Sequence, residues 1–126
     1  MRLARSLLWI DCTGALVAGA VVLAASDWLS GLYALPVGVV LGLGTANLAY
    51  GGFSFSLARR TVRPRALVRV LAAANVAWAV VCVVSAAVLA GQASPYGLAH
   101  LLLESVYVGG LGVLEWRYVD ALNRSD

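Results

Sequence analysis

Residues 66–90 read ALVRVLAAANVAWAVVCVVSAAVLA, a run of 25 residues that contains one charge, Arg69. A helix needs about 20 apolar residues to cross the ~30 Å hydrocarbon core of a bilayer, so this run is long enough to span one. It lacks the strict alternation of apolar and polar residues expected of a transmembrane β-strand. The run therefore predicts a transmembrane helix.

The rest of the chain repeats this pattern. The four predicted helices cover residues 6–26, 32–57, 66–90 and 96–118. Ser94 followed by Pro95 is typical of a helix start, and Pro36 is expected in the first turns of the second helix. The predicted fold is all-α, a single four-transmembrane-helix bundle.

The composition of the whole chain agrees with this fold. Of its 126 residues, 62% are hydrophobic and 12% are charged, whereas soluble domains are about 45–50% apolar and about 25% charged. So few charges cannot cover the surface of a small soluble fold. The composition therefore excludes an ordinary cytosolic enzyme, a disordered chain and a nucleic-acid-binding domain, and the partner it implies is the lipid bilayer.

The basic residues predict the orientation. All nine are arginines, and they lie before the first helix (Arg2, Arg5), around the middle connection (Arg59, Arg60, Arg63, Arg65, Arg69) and at the end of the fourth helix (Arg117, Arg124). By the positive-inside rule, both termini and the middle connection are cytoplasmic. A cleaved signal peptide at the N-terminus is disfavoured because Asp11 interrupts a long apolar run.

A faint internal repeat has an offset of 64 residues. The matched pairs are Arg5/Arg69, Leu7/Leu71, Asp11/Asn75, Ala15/Ala79 and Val17/Val81. The second and fourth helices do not match at this offset. A parallel two-fold relation between two hairpins and chance agreement among few residue types are the two interpretations.

Polar residues within the apolar segments are the candidates for function, because an ionisable side chain in a membrane is costly. Helical spacing places one group towards the bundle interior near the arginines: Asp11, Tyr50, Asn75, Trp78, Tyr107 and Glu115. Two more, His100 and Glu104, fall in the other half of the membrane. The alternative is a purely structural role, in which Asp11 pairs with Arg5 or Arg69 and Glu115 reaches the cytoplasm beside Arg117.

The sequence offers no recognisable cofactor or metal site. With His100 as the only histidine and Met1 as the only methionine, the chain lacks the ligand pairs of a haem and the three ligands of a catalytic zinc. Cys12 and Cys82 are interpreted as small buried residues. Gly38 and Gly42 form a GxxxG pair, which is compatible with internal packing or with a homodimer.

Three motifs resemble those of small uncharacterised four-helix integral membrane proteins of bacteria: Ile10-Asp11, Ala74-Asn75-Val76-Ala77-Trp78 and Val113-Leu114-Glu115-Trp116-Arg117-Tyr118. This resemblance implies a bacterial inner-membrane location and no known activity. The architecture also resembles the small multidrug resistance transporters, which implies a dimer with Asp11 as the essential acid and Tyr50, Trp78 and Tyr107 as aromatic walls. The chain departs from that family in having Glu104 and Glu115.

The functional expectation is a non-enzymatic accessory or interaction subunit, working with a membrane protein partner or as a homo-oligomer. One alternative is a small proton-coupled carrier that uses Asp11. Another is an intramembrane enzyme or a lipid- or quinone-binding protein that uses Asp11, Asn75 and Glu115.

Overall fold

The computed structural model describes residues 2–123, with side chains from residue 6 onwards. Its helices are α1 (Arg2–Ala24), α2 (Ser26–Tyr33), α3 (Val37–Ala58), α4 (Arg65–Leu89), α5 (Pro95–Arg117) and α6 (Val119–Asn123). Arg124 and the side chains of Arg2 and Arg5, on which the orientation prediction partly rests, lie outside the described residues.

Four of these helices are long and apolar enough to cross a membrane. They are α1 from Ser6 onwards, α3, α4 and α5. The predicted all-α bundle of four membrane-spanning helices is thus confirmed. We call the end that carries the connection 59–64 the arginine end, and the opposite end the α2 end.

The first connection differs from its prediction. Instead of a turn, Ser26–Tyr33 forms the short helix α2, and α3 begins only at Val37. Ala34 closes α2 in the left-handed conformation, with φ of 53°. Pro36 then precedes α3 as its N-cap, with an extended backbone at φ −55° and ψ 139°. Proline has no N–H and disfavours a helical residue before it, so α3 starts after Pro36 rather than at residue 32.

The second membrane hairpin starts as the sequence predicts. Ser94 caps α5, because its Oγ accepts a hydrogen bond from the backbone N–H of Gly97 and Pro95 occupies the first turn. Ser94 also ties α5 to α2. Its backbone N–H donates to the carbonyl of Tyr33 at 2.8 Å and its Oγ donates to the carbonyl of Leu32 at 2.6 Å.

Two tightly packed hairpins make up the bundle. In the N-terminal hairpin α1 lies along α3, and in the C-terminal hairpin α4 lies along α5. A Cβ atom on Gly19 would stand 2.9 Å from the carbonyl oxygen of Gly44, and one on Gly112 would stand 2.8 Å from that of Ala72. Glycine at these positions lets the helix backbones touch.

The GxxxG pair, Gly38 and Gly42, does not pack inside the bundle. A Cβ atom on Gly38 or Gly42 would have no neighbour within 4 Å, so both glycines face away from the bundle. Internal packing of α3 uses Gly44 and Gly51 instead. Gly51 faces Leu16 of α1, whose Cγ would lie 2.6 Å from an added Cβ atom.

Arg63 holds the arginine end together, a role that the sequence does not suggest. Its side chain is fully buried. The guanidinium donates from Nε to the carbonyl of Leu57 at 2.6 Å, from one Nη to Ala58 at 3.2 Å and from the other to Leu122 at 3.1 Å. The last carbonyls of a helix lack intrahelical partners, so one arginine satisfies the end of α3 and binds α6 to it.

Candidate functional site

The most buried polar cluster joins three helices near the arginine end. Asn75 of α4 donates from Nδ2 to Asp11 Oδ2 of α1 at 3.0 Å and to Glu115 Oε1 of α5 at 2.8 Å. Asn75 and Glu115 are fully buried, and Asp11 is 2% exposed. A single amide group thus holds two carboxyl groups, which we call the acid pair, Asp11 and Glu115.

Both members of the acid pair bond to the same amide nitrogen, which holds their two carboxyl groups close together. An ionised carboxylate only accepts hydrogen bonds, so a bond between two carboxyl groups requires a proton on one of them. Like charges held this close disfavour joint ionisation. The geometry of the acid pair is therefore that of two carboxyl groups able to share one proton.

This cluster is not fully satisfied by the residues that the structure describes. Within residues 6–123, Asn75 Oδ1 and Glu115 Oε2 are buried and have no hydrogen-bond partner. A buried acceptor without a donor costs about 1–3 kcal/mol, and hydrocarbon surroundings offer no water to relieve it. A proton on the acid pair removes the charge of one carboxyl group, which lowers the cost of burying the cluster.

A second cluster forms around Glu104 in the half of the bundle towards the α2 end. Its Oε1 accepts hydrogen bonds from Asn47 Nδ2 at 3.0 Å and His100 Nε2 at 3.2 Å. Its Oε2 accepts from Trp78 Nε1 at 2.5 Å and from Cys82 Sγ at 3.5 Å. In contrast to Glu115, both oxygens of Glu104 are therefore well supplied with donors.

Tyr33 extends the Glu104 cluster to the end of the bundle. Its hydroxyl lies 2.9 Å from His100 Nδ1, and the two rings are tilted with centroids 5.2 Å apart. In the tautomer of His100 whose Nε2 donates to the carboxylate of Glu104, Nδ1 accepts a hydrogen bond from the Tyr33 hydroxyl. Burial, and secondarily the charge of Glu104, raises the pKa of Tyr33 above its usual value.

The other sequence candidates divide between these clusters. Trp78 was expected beside Asp11 but binds Glu104 instead. Tyr50 donates to the backbone carbonyl of Ala74 at 3.2 Å, and Tyr107 donates to that of Ile10 at 2.8 Å. The tyrosines therefore line the acid pair's helices without bonding to its carboxyl groups. The group expected near the arginines is therefore divided, because Trp78 belongs to the Glu104 cluster, one turn of α4 away from Asn75.

The structure does not show the expected exposure of Glu115 or the expected pairing of Asp11 with Arg69, and the side chain of Arg5, the other expected partner of Asp11, lies outside the described residues. Glu115 is buried rather than extended towards the surface, and the guanidinium of Arg69 lies over the ring of Trp116, 5.8 Å from its centroid. Cys82, which the sequence indicates only as a small buried residue, lies one helical turn from Trp78 and donates to the same oxygen of Glu104. Tyr33 was not among the sequence candidates, and its position on α2 brings it to His100.

The contacts between the hairpins obey an approximate two-fold relation. Asp11 and Asn75 are bonded to each other and are 64 residues apart, while Asn47 and Glu104 are bonded and 57 apart. The tyrosine bonds follow both offsets, because Tyr107 comes 57 residues after Tyr50 and Ala74 comes 64 after Ile10. The faint repeat is therefore expressed in structure, and it extends to α3 and α5 at the shorter offset.

The difference between the two offsets has a simple origin. Twelve residues, 25–36, separate α1 from α3, whereas five, 90–94, separate α4 from α5. The seven additional residues correspond to the connector that contains α2. This explains why a repeat searched for at one fixed offset matches the first helix of each hairpin and misses the second.

Side-chain hydrogen bonds cross the boundary between the hairpins at Asp11–Asn75 and at Asn47–Glu104. Two clusters of buried apolar residues also bridge the hairpins, one around Leu8 and Leu71 and the other around Val40 and Leu101. We call this boundary, with the acid pair near one end and the Glu104 cluster near the other, the polar seam. Among the described residues, no three His, Cys, Asp or Glu side chains are grouped to hold a metal ion.

Comparison of the chain with protein-family models, with curated proteins and with solved structures finds no match. The function of the chain is therefore inferred from the polar seam.

Proposed function

We propose that the chain is a small proton-coupled carrier of a bacterial inner membrane, with the arginine end in the cytoplasm. The observation that carries this proposal is that one buried amide, Asn75, holds two carboxyl groups while two acceptor oxygens stay unpaired. A purely structural network in hydrocarbon would be expected to satisfy all its members. In a site that gains and loses a proton, by contrast, the hydrogen bonding of the buried polar atoms differs between the two protonation states.

The two hairpins supply the moving parts of such a carrier. Each is held internally by direct backbone contact at its glycines, as at Gly19 and Gly44. Across the seam, side-chain hydrogen bonds join the hairpins alongside two apolar clusters. Secondary transporters built from repeats move one repeat against the other about a fixed site. We expect the hairpins to move as rigid bodies, with loss of the proton from the acid pair weakening the seam.

The first test asks whether the acid pair holds a proton. Infrared spectra of the protein in lipid bilayers should contain the band of a protonated carboxyl group at neutral pH. That band should change in Asp11→Asn and in Glu115→Gln and should disappear when both changes are combined, because the proton then has no carboxyl group beside Asn75. The matched control is Asp27→Asn, which removes an exposed carboxylate of α2 and should leave the band unchanged.

The second test asks whether this proton moves. Vesicles that contain the protein and a pH indicator are given a pH gradient and a panel of small organic cations. Cation-dependent proton flux that is lost in Asp11→Asn and kept in Asp27→Asn supports the carrier. A carboxyl band that is absent at every pH from 5 to 9, or that survives both acid-pair changes, contradicts the proposal.

A second candidate function, an interaction subunit or homodimer, is favoured by the outward position of Gly38 and Gly42. Glycines spaced four apart on a lipid-facing surface allow another transmembrane helix to approach closely. Gly38→Leu with Gly42→Leu should abolish association of the protein in bilayers, measured by energy transfer between labelled copies. A signal that is the same in wild type and variant excludes this surface as the dimer contact.

A further inference from the structure

An apolar groove runs along the lipid-facing side of α4 and α5 at the arginine end. Its volume is about 710 Å³. Its lining includes Ala73, Val76, Ala77, Gly112, Trp116 and Arg117. Alanine and glycine have small side chains or none, so little projects into the groove from its floor. Apart from the arginine, the lining carries almost no polar atoms. Such a floor suits a hydrocarbon chain and not a soluble ligand.

The corresponding position in the N-terminal hairpin is closed. By the two offsets, Trp9 corresponds to Ala73 and Phe55 corresponds to Gly112. Trp9 and Phe55 pack edge to face, with ring centroids 5.8 Å apart. Two large aromatic rings therefore occupy one half of the fold where the other half has small residues. The groove is thus specific to the C-terminal hairpin, and not a general consequence of packing two helices together.

Positive charge lies at the mouth of the groove. Arg117 is one of its lining residues. Arg69, from the facing helix, holds its guanidinium over the ring of Trp116 with 5.8 Å between Cζ and the ring centroid. This cation–π contact keeps a second guanidinium beside the same opening. Two arginines placed above an apolar floor match the two parts of a phospholipid, an anionic headgroup and an acyl chain.

We propose that the α4–α5 groove is a specific binding site for an anionic diacyl phospholipid of the leaflet at the arginine end. One acyl chain lies along Ala73, Ala77 and Gly112, and the phosphate lies between Arg69 and Arg117. This site is separate from the acid pair, and it holds whether or not the protein is a carrier.

The experiment measures lipid retained by the purified protein in native mass spectrometry. The probes are phosphatidylglycerol and phosphatidylcholine with identical acyl chains. Wild type should retain phosphatidylglycerol in preference. The double variant Arg69→Ala/Arg117→Ala should lose that preference by about tenfold or more, given the strength of headgroup contacts to each arginine.

Two further variants separate the groove from general attraction between charges. Ala73→Trp copies the residue of the closed hairpin at an exposed position, keeps every charge and should prevent phosphatidylglycerol binding. Arg59→Ala/Arg60→Ala removes two exposed arginines of the other hairpin, giving the same net charge as the first double variant, and should leave the preference intact.

The results that overturn the site are equally clear. If Ala73→Trp retains phosphatidylglycerol like wild type, the groove does not hold the lipid. If the Arg59/Arg60 double variant loses the preference as strongly as the Arg69/Arg117 one, the attraction is diffuse. If excess inorganic phosphate displaces the lipid, the site recognises a free anion and the acyl chain has no part in binding.

Discussion

Asp11 and Asn75 occupy equivalent positions in two hairpins and bond directly to each other, 3.0 Å apart across the boundary between them. The bond places an acid on one side of the two-fold relation and an amide on the other. Glu115 joins the same amide at 2.8 Å. This relationship makes the exchange of the two residues an informative test of the seam.

Asn75→Ala should lower the free energy of unfolding by about 1–3 kcal/mol, because both carboxyl groups lose their shared donor while they stay buried. The exchange variant Asp11→Asn/Asn75→Asp keeps two carboxyl groups and one amide in the cluster. It should be more stable than the sum of its two single changes predicts. Thermal unfolding in detergent, read as a double-mutant cycle, measures the coupling. Simple additivity would mean that the two residues do not act as a pair.

Arg63→Ala should destabilise the protein by about 1–3 kcal/mol, since it exposes the terminal carbonyls of α3 and releases α6. Arg63→Lys should recover little of this loss, because an ammonium group cannot form the same fork of hydrogen bonds. Arg60→Ala, at an exposed position in the same connection, is the control and should stay within about 0.5 kcal/mol of wild type. Equal effects of Arg60→Ala and Arg63→Ala on unfolding would argue against the clamp.

Tyr33 should ionise above the ordinary tyrosine pKa of about 10, because burial and the charge of Glu104 raise its pKa. The measurement is the ultraviolet titration of wild type minus that of Tyr33→Phe. With a pKa raised by folding, the stabilising effect of Tyr33 is complete below its unfolded pKa and is lost as the pH rises through its folded pKa. Stability of wild type relative to Tyr33→Phe should therefore fall only in strongly alkaline solution, and a loss beginning below pH 9 would contradict this.

Gly19→Leu should unfold or separate the N-terminal hairpin, because an added Cβ would meet the carbonyl of Gly44 and the side chain of Leu48 at 2.9 and 2.8 Å. Gly38→Leu adds the same atoms where nothing lies within 4 Å. We expect it to leave the unfolding temperature of the monomer unchanged. A comparable loss of stability in both variants would show that the close approach at Gly19 is not what holds α1 to α3.

Much of this fold can be read from the sequence, since length and apolarity alone fix the number of spanning helices. Ser94 and Pro95 predict the start of α5 because capping is a local property of a few residues. The first connection is harder to predict from the sequence. The stretch 26–32 contains Ser, Asp and Gly, which are typical of turns, yet its apolar members Leu29 and Leu32 pack as a helix against the bundle.

The site was only partly predictable for a similar reason. Spacing along one helix correctly suggests that Asp11, Asn75 and Glu115 point to a common interior, since they fall at interior positions of their own helices. The choice of Glu104 as the partner of Trp78 depends on how α4 and α5 are shifted along each other. That shift is set by contacts such as Gly112 on Ala72, which no pattern within a single helix encodes.

The seven-residue difference between the connectors has a consequence for how such a molecule could arise. In a symmetric dimer of identical hairpins, a residue on the two-fold axis meets its own copy, so aspartate faces aspartate and asparagine faces asparagine. Joining the hairpins in one polypeptide frees the two copies to diverge. Asp11 then faces Asn75 and Asn47 faces Glu104, so at both positions the fused chain sets a carboxyl group opposite an amide, which a residue that meets its own copy on the axis cannot do.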